Sequence, residues 1–300
     1  MQKISILICT CNREYILRDC LDSLVNQTAD KLLYEVIVVN NNSTDNTQSI
    51  AEEYASTQPN FRVIIEKNQG LSYARNRGYK EAKYDWVSYI DDDAKAYPNY
   101  VERVLSTIEN YDFDFFGGMY YPWYRDTIRP KWLSEDFGKS QKYKEMASYL
   151  DNGHITGCVC VFNRIPLDEI GGFPFDLGMT GTTIAYGEEI YVQNKLIEKG
   201  YKIGFDPELC IEHLVPKYKQ TLKWHIQSAY AHGRDSIKIF NTIAPKESYA
   251  KYVKTILKIF VKKMLAGMKS LFSQKDYYLQ NLFLDVFASI ARYRGYYKAK

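Results

Sequence analysis

Asp91, Asp92 and Asp93 follow one another directly after the apolar run YDWVSYI (84–90). Carboxylates avoid the end of a buried strand unless something positive meets them there. Successive residues of an extended chain point to opposite faces, so Asp91 and Asp93 share one side and Asp92 takes the other. Two carboxylates on one side can hold a hard divalent cation, Mg²⁺ or Mn²⁺, which keeps coordination positions open for phosphate oxygens. The same run also suits an acidic turn, because Asp favours turns.

Three other groupings carry chemical potential. NQGLSYARNRG (68–78) sets Arg75 and Arg77 on either side of Asn76. Arginine binds phosphate through two parallel hydrogen bonds, although a solvated helix face also collects arginines. Glu188 and Glu189 open the helical pattern GEEIYVQNKLIEKG (187–200). Acids at a helix start commonly offset its dipole, and one of them could instead serve as general base to an acceptor hydroxyl. His213 closes the segment KIGFDPELCIEH and becomes a ligand only if it reaches the aspartates.

These residues need a frame. ISILICT (4–10), YEVIVVN (34–40), FRVIIEK (61–67) and YDWVSYI read as buried strands. Between them lie helical patterns at REYILRDCLDSLVNQT (13–28), STDNTQSIAEEYAST (43–57) and GLSYARNRGYKEA (70–82). Ser43, Thr44 or Asp45 is a candidate cap for the second of these. A further helix at 97–110 and a strand at 112–121 follow. Repeated strand–helix units predict an α/β fold with a doubly wound, mostly parallel sheet, whose ligands bind beyond the carboxyl ends of the strands. The polar groups fall there: Thr10, Asn12 and Arg13 after the first strand, Asn40 and Asn41 after the second, and the aspartates after the fourth.

The second half is less regular. GCVCVFNR (157–164) predicts a strand, DEIGGFPFDLG a turn region, 202–213 a strand or hairpin, and 220–240 a helix. From 248 to 272 the chain reads SYAKYVKTILKIFVKKMLAGMKSLF. Val253, Ile256, Leu257, Phe260, Met264 and Leu265 share one helical face, and lysines line the other. That is a basic amphipathic helix, suited to packing or to an anionic membrane surface.

Composition sets outer limits. The 300 residues carry a net charge of +3, which does not point to a nucleic-acid binder. The 27 tyrosines offer sugar-stacking faces, and codon usage explains them equally well. Cys9, Cys11, Cys20, Cys158, Cys160 and Cys210 form no C-x-x-C pair, so neither a zinc site nor a disulfide scaffold is expected. No apolar run reaches the ~18 residues of a membrane span, and a cytoplasmic location is expected.

SILICTCNR, EVIVVNNNSTDNT, NQGLSYARNRG, WVSYIDDDA, IGGFPFDLG, GEEIYVQNKLIEKG and CIEHLVP together resemble, in order and spacing, glycosyltransferase family 2. The resemblance spans roughly residues 3–235. It implies the GT-A fold, a Rossmann-like central sheet flanked by helices, and inverting transfer from a nucleotide-sugar donor to a glycan or lipid-linked acceptor of cell-surface polysaccharide. It implies a catalytic domain at 1–235, with a nucleotide-sugar half (1–118) and an acceptor half (119–235), and the basic amphipathic pattern beyond it makes 236–300 a C-terminal helical extension. DDDA is similar to the family's Asp-x-Asp motif. By this resemblance Asp93, Asp91 and His213 would hold Mn²⁺ or Mg²⁺. Thr10, Asn12, Arg13, Asn40, Asn41, Arg75, Asp91 and Asp92 would line the nucleotide-sugar site, and Glu189, with Glu188 as the alternative, would be the base. Asn40 stands where the family usually has an aspartate, which loosens the expectation of a UDP-sugar, because an amide donates as well as accepts. The resemblance implies the donor and the acceptor as partners; the amphipathic helix at 249–272 adds an anionic membrane surface as a candidate, and no nucleic acid is expected.

Two other classes share parts of this pattern. A nucleotidyltransferase would more typically carry a Gly-rich phosphate loop near its start, and none is present. A sugar-binding scaffold on a degenerate transferase fold would lack the acids, and they are present.

Overall fold

The computed structural model describes residues 2–151, 153–181, 183–240 and 248–299. Parts of the expected 236–300 extension, 241–247 and Lys300, lie outside the described residues. The chain divides into two compact units. The first comprises Met1–Trp123, Gly138–Asp176 and Glu188–Leu214, and the second Tyr124–Phe137, Leu177–Gly187 and Val215–Lys300.

The first unit opens β1 (Ile4–Thr10), α1 (Leu17–Val25), β2 (Tyr34–Asn40), α2 (Thr47–Thr57), β3 (Phe61–Ile65), α3 (Leu71–Glu81) and β4 (Trp86–Ile90). It continues with β5 (Ala94–Ala96), α4 (Tyr100–Asn110), β6 (Phe115–Trp123), β7 (Ser148–Tyr149), β8 (Val159–Asn163), α5 (Arg164–Glu169), α6 (Glu188–Glu198) and β9 (Ile203–Leu214). One sheet runs in the order β3-β2-β1-β4-β8-β6-β9-β5, with β7 on β9. The four strands from β3 to β4 are parallel, as the strand–helix repeat predicts. Beyond β4 the sheet is mixed: β8 runs antiparallel to both β4 and β6, and β6 is parallel to β9.

Alternation along the strands sorts side chains onto two cores. Ile4, Ile6 and Ile8 of β1 join Val36 and Val38 of β2 against α1, α2 and α4. Leu7, Ile37 and Val39 face the other way, with Ala74 and Tyr79 of α3 and Val192 and Leu196 of α6. Each fully buried side chain of this size contributes about 1.5–3 kcal/mol. Burial on both faces explains why these strands read as continuous apolar runs.

Local chemistry trims the expected helices. The pattern at 13–28 yields a helix only over Leu17–Val25. The N–H groups of Arg13 and Glu14 donate to Thr47 Oγ1 (2.7 Å) and Asp45 Oδ2 (3.1 Å), which holds that end of the pattern in a loop. Asn46 holds the N-cap position of α2 without a side-chain cap bond, and Asp45 Oδ1, one of the three candidates, accepts the Thr47 N–H at 3.0 Å. Ser43 and Thr44 are drawn to Asn12 instead. The turn region expected at 168–178 contains the end of α5, whose start Asn163 caps, and then Gly171 and Gly172 at φ +79° and +76°. A Cβ at Gly172 would lie 2.4 Å from Asn76 Oδ1, and that amide holds the Phe173 backbone in both directions at 2.8 Å.

The second unit contains α7 (Leu222–Ile239), α8 (Tyr249–Ser273) and α9 (Leu279–Lys298). Helices α7 and α9 cross with backbones touching: a Cβ on Gly233 would lie 1.9 Å from Arg292 O, and one on Gly295 2.0 Å from Tyr230 O. The amphipathic stripe of α8 is wider than one packing contact needs. Ile256 and Met264 are half-buried, whereas Leu257, Val261, Leu265, Met268 and Phe272 stay exposed. Among the described residues no helix is long and apolar enough to cross a membrane.

Candidate active site

The parallel strands end together, and the loops beyond them are tied to one another. Thr10 and Asn40 are partners in the β1–β2 ladder, so the two following loops start side by side. Asn12 and Asn42 both take left-handed φ, +54° and +58°. Asparagine tolerates that region, and its side chain bonds the local backbone. Asn12 Oδ1 accepts the Thr44 N–H at 2.7 Å, and the Asn12 N–H donates to Ser43 Oγ at 2.9 Å. Asn40 donates to Gln48 Oε1 (2.6 Å) and accepts from the Ser43 N–H (3.0 Å). Asn41 donates to the carbonyls of Glu66 and Asn68 and accepts from the Gly70 N–H, bracing the approach to α3. Three of the expected nucleotide contacts therefore also build the loops around them.

The aspartates occupy the short connection between β4 and β5, and the sheet delivers His213 to them. In the β5–β9 ladder Ala94 pairs with His213, and the Leu214 N–H donates to Asp93 O at 2.9 Å. His213 Nε2 lies 3.4 Å from Asp91 Oδ2 and 3.3 Å from Asp93 Oδ1. Asp92 turns away, 3.3 Å from Arg13 Nε. Burial pushes the Asp92 carboxyl up, and the Arg13 guanidinium pulls against that shift. Asp91 and Asp93 thus share a side with an imidazole between them, an oxygen-and-nitrogen donor set that fits a divalent cation.

The thiol of Cys158 completes this cluster. Ligand atoms of Asp91, Cys158 and His213 all lie within 4.8 Å of one another. Motif spacing did not reveal Cys158, which is remote in sequence from both partners. The β4–β8 ladder brings it there: its last pair is Ile90 with Val159, and one further step sets Asp91 beside Cys158.

A second group of acids lies behind the pocket. Arg75 projects from α3 and is 3% exposed. Its Nη1 meets Glu188 Oε1 at 2.7 Å, while Nη2 is 3.8 Å from Asp91 Oδ1 and 3.4 Å from Gly157 O. Tyr89 and Phe173 set their rings 5.7 and 5.3 Å from the guanidinium carbon. Burial works against the charge of Arg75, yet Glu188 and Asp91 outweigh it and hold the guanidinium above its ordinary range. So enclosed a side chain ties the acid pair to Asp91. Glu188 is 4% exposed; burial and the neighbouring Glu189 carboxylate push it up, and Arg75 draws it back down. Glu189 is half-buried and is the more accessible acid. Gly157 separates the two groups: a Cβ there would lie 2.9 Å from Arg75 Nη2 and 3.3 Å from Glu189 Cγ. The second arginine of the motif, Arg77, is paired on the helix surface with Glu81.

Residues 5–171, more than half of the chain, match the Glycosyl transferase family 2 model. The chain belongs to glycosyl transferase family 2. The uncharacterized glycosyltransferase YibD of Escherichia coli (strain K12) is 37% identical over 112 residues, 37% of this family 2 chain and 32% of that protein. The chain thus spans less than a third of that relative's length. The glucosyl-dolichyl phosphate glucuronosyltransferase of Haloferax volcanii is 24% identical over 272 residues, covering 86% of this chain and 84% of that protein. Among solved structures, a Pyrobaculum calidifontis mannosyltransferase in complex with GDP-Man and Mn²⁺ superposes with a TM-score of 0.67 at 18% identity, over 96% of this chain and 85% of that one. That likeness concerns the fold, which is GT-A as the family 2 motifs implied.

Proposed function

We propose that this family 2 chain is an inverting glycosyltransferase that moves a sugar from a nucleoside diphosphate donor to an acceptor hydroxyl. The observation that carries the reading is the placement of the His213 imidazole 3.4 Å from the Asp91 carboxylate and 3.3 Å from that of Asp93, beyond the end of β4. The buried acid pair adjoins it through Arg75. Asp91, Asp93 and His213 would hold Mn²⁺ or Mg²⁺, which when bound neutralises charge on a diphosphate leaving group. Arg13 is the accessible cation of the donor loops. Thr10, Asn12, Asn40, Asn41 and Asp92 shape those loops, and Arg75 positions Asp91 relative to Glu188.

Glu189 takes the proton of the acceptor hydroxyl. The hydroxyl oxygen attacks the anomeric carbon on the face opposite the diphosphate. The carbon–oxygen bond to the diphosphate breaks, and its electron pair leaves with the nucleotide. One displacement inverts the anomeric centre without an enzyme nucleophile. Removing a general base lowers rates by about 10²–10⁴-fold. Glu189→Gln is expected to lose nucleotide release by that factor while donor affinity changes little. Unchanged release would move the role to Glu188. A donor panel with Mn²⁺, led by UDP-sugars and GDP-mannose, identifies the base and the sugar.

A second feature concerns the acceptor. Leu257, Val261, Leu265, Met268 and Phe272 recur every three or four residues along α8 and are 47–88% exposed. Exposed lysines 254, 258, 262 and 269 flank them. Apolar side chains between lysines fit an anionic membrane surface, and each lysine near such a surface adds about 1 kcal/mol. This supports docking on the cytoplasmic face of a membrane and a lipid-linked saccharide acceptor, the class named for the Haloferax relative. The chain is expected to float with vesicles containing phosphatidylglycerol and not with neutral ones. Leu257→Asp with Leu265→Asp should abolish flotation. Equal behaviour with both vesicle types would count against the docking.

A further inference from the structure

We infer that Cys158 is a thiolate donor of the cation pocket and gives it a preference for a thiophilic divalent ion of the zinc or cadmium type. The inference rests on the reading of Asp91 and His213 as cation ligands. It adds a soft ligand that neither the aspartate motif nor the composition announced. Three observations support it. The donor atoms of Asp91, Cys158 and His213 lie within 4.8 Å of one another. Both Asp91 and Cys158 adjoin the last pair of the β4–β8 ladder, Ile90 with Val159, which brings the two chain segments side by side. Cys158 is 8% exposed and the His213 ring is half-buried, while the Asp91 side chain, 36% exposed, leaves an ion a way in from solvent.

The donor set is chemically mixed. A sulfur, an imidazole nitrogen and a carboxylate oxygen suit tetrahedral zinc, with bonds of about 2.0–2.3 Å. Mg²⁺ and Mn²⁺ favour oxygen donors, whereas thiolate selects softer ions. Affinity for one N/O/S site also generally rises from manganese toward zinc. Binding converts the thiol to a metal thiolate and releases its proton to solvent, and no electron is transferred. The fourth position is left to Asp93 or to a phosphate oxygen. Zinc therefore competes with manganese for one pocket.

Cadmium reports the bond directly, because cadmium thiolates absorb in the ultraviolet through charge transfer. The full chain, stripped with EDTA, is titrated with Cd²⁺, and manganese binding is followed separately by calorimetry. The wild type is expected to show one saturable absorption step, and Mn²⁺ binding should be lost once that step is saturated. Cys158→Ser should lose the step, and His213→Ala should weaken it about tenfold or more, at least what an outer-shell partner costs. Cys210→Ala, which alters a thiol of the same unit outside the cluster, should retain it. A step that persists in Cys158→Ser overturns the assignment, because another cysteine then binds the ion. Mn²⁺ binding by the wild type without any cadmium step overturns the thiolate role and leaves the pocket standing. Failure to bind either ion removes the pocket and this inference together.

Discussion

The aspartate pocket and the Arg75–Glu188 pair gather acids within the same compact unit, but they differ in what balances them. The pair is enclosed and carries its own counter-ion at 2.7 Å. The pocket has two carboxylates facing one imidazole, and the Asp91 side chain is 36% exposed. An enclosed, matched pair suits a brace, since removing either partner strands a charge away from water. A more open group with excess negative charge suits a ligand that arrives and leaves. Family motifs name residues of both kinds, and burial separates the brace from the binding group.

The largest effect expected from this contrast concerns the brace. Removing one partner of a buried ion pair costs about 3–5 kcal/mol. Arg75→Ala should lower unfolding stability by that amount in urea titrations. Replacing both partners at once, with Arg75→Met and Glu188→Leu, should restore much of the loss, because well-packed apolar groups often substitute for such a pair. A single-variant loss below about 1 kcal/mol, typical of an exposed pair, would mean that water reaches the pair in solution.

A smaller effect is expected from filling the pocket. A ligand at a free concentration 100 times its Kd stabilises the folded state by about 2.7 kcal/mol. Mn²⁺ should therefore raise the urea midpoint of the wild type, and Asp93→Asn should remove that response. A response of equal size in the variant would place the ion elsewhere.

The two regions also differ in how far their chemistry shows in the sequence. The four parallel strands were legible because burial on both faces leaves uninterrupted apolar runs, as in ISILICT and YEVIVVN. The aspartates were legible because charge at the end of such a run needs a reason. Asp91, Asp93 and His213 could be grouped only through the family resemblance, since their meeting depends on β9 lying beside β5. Nothing local announces that pairing. Cys158 was hidden for the same reason, and its apolar neighbours made it look like ordinary core. Arg75 was legible only in part: its motif suggests phosphate, and the packing of Tyr89, Phe173 and Glu188 around it adds a bracing contact that no spacing announces. The mixed half of the sheet was the least legible, because an antiparallel strand inserted between β4 and β6 leaves no mark on strand–helix spacing.

The smallest effect has the opposite sign in the two regions. With EDTA present, the like charges of Asp91 and Asp93 share one side without a metal ion to balance them. Asp93→Asn removes that repulsion, and its amide oxygen can still accept a hydrogen bond from His213. The variant should gain about 1 kcal/mol of stability, the size typical of relieving a functional compromise. Its main-chain bond to Leu214 is untouched by the change. Glu188→Gln under the same conditions should lose stability, since it removes the nearer of the two carboxylates that balance the buried Arg75. If both substitutions destabilise equally, Asp93 is a structural residue like Glu188, and the division into pocket and brace fails.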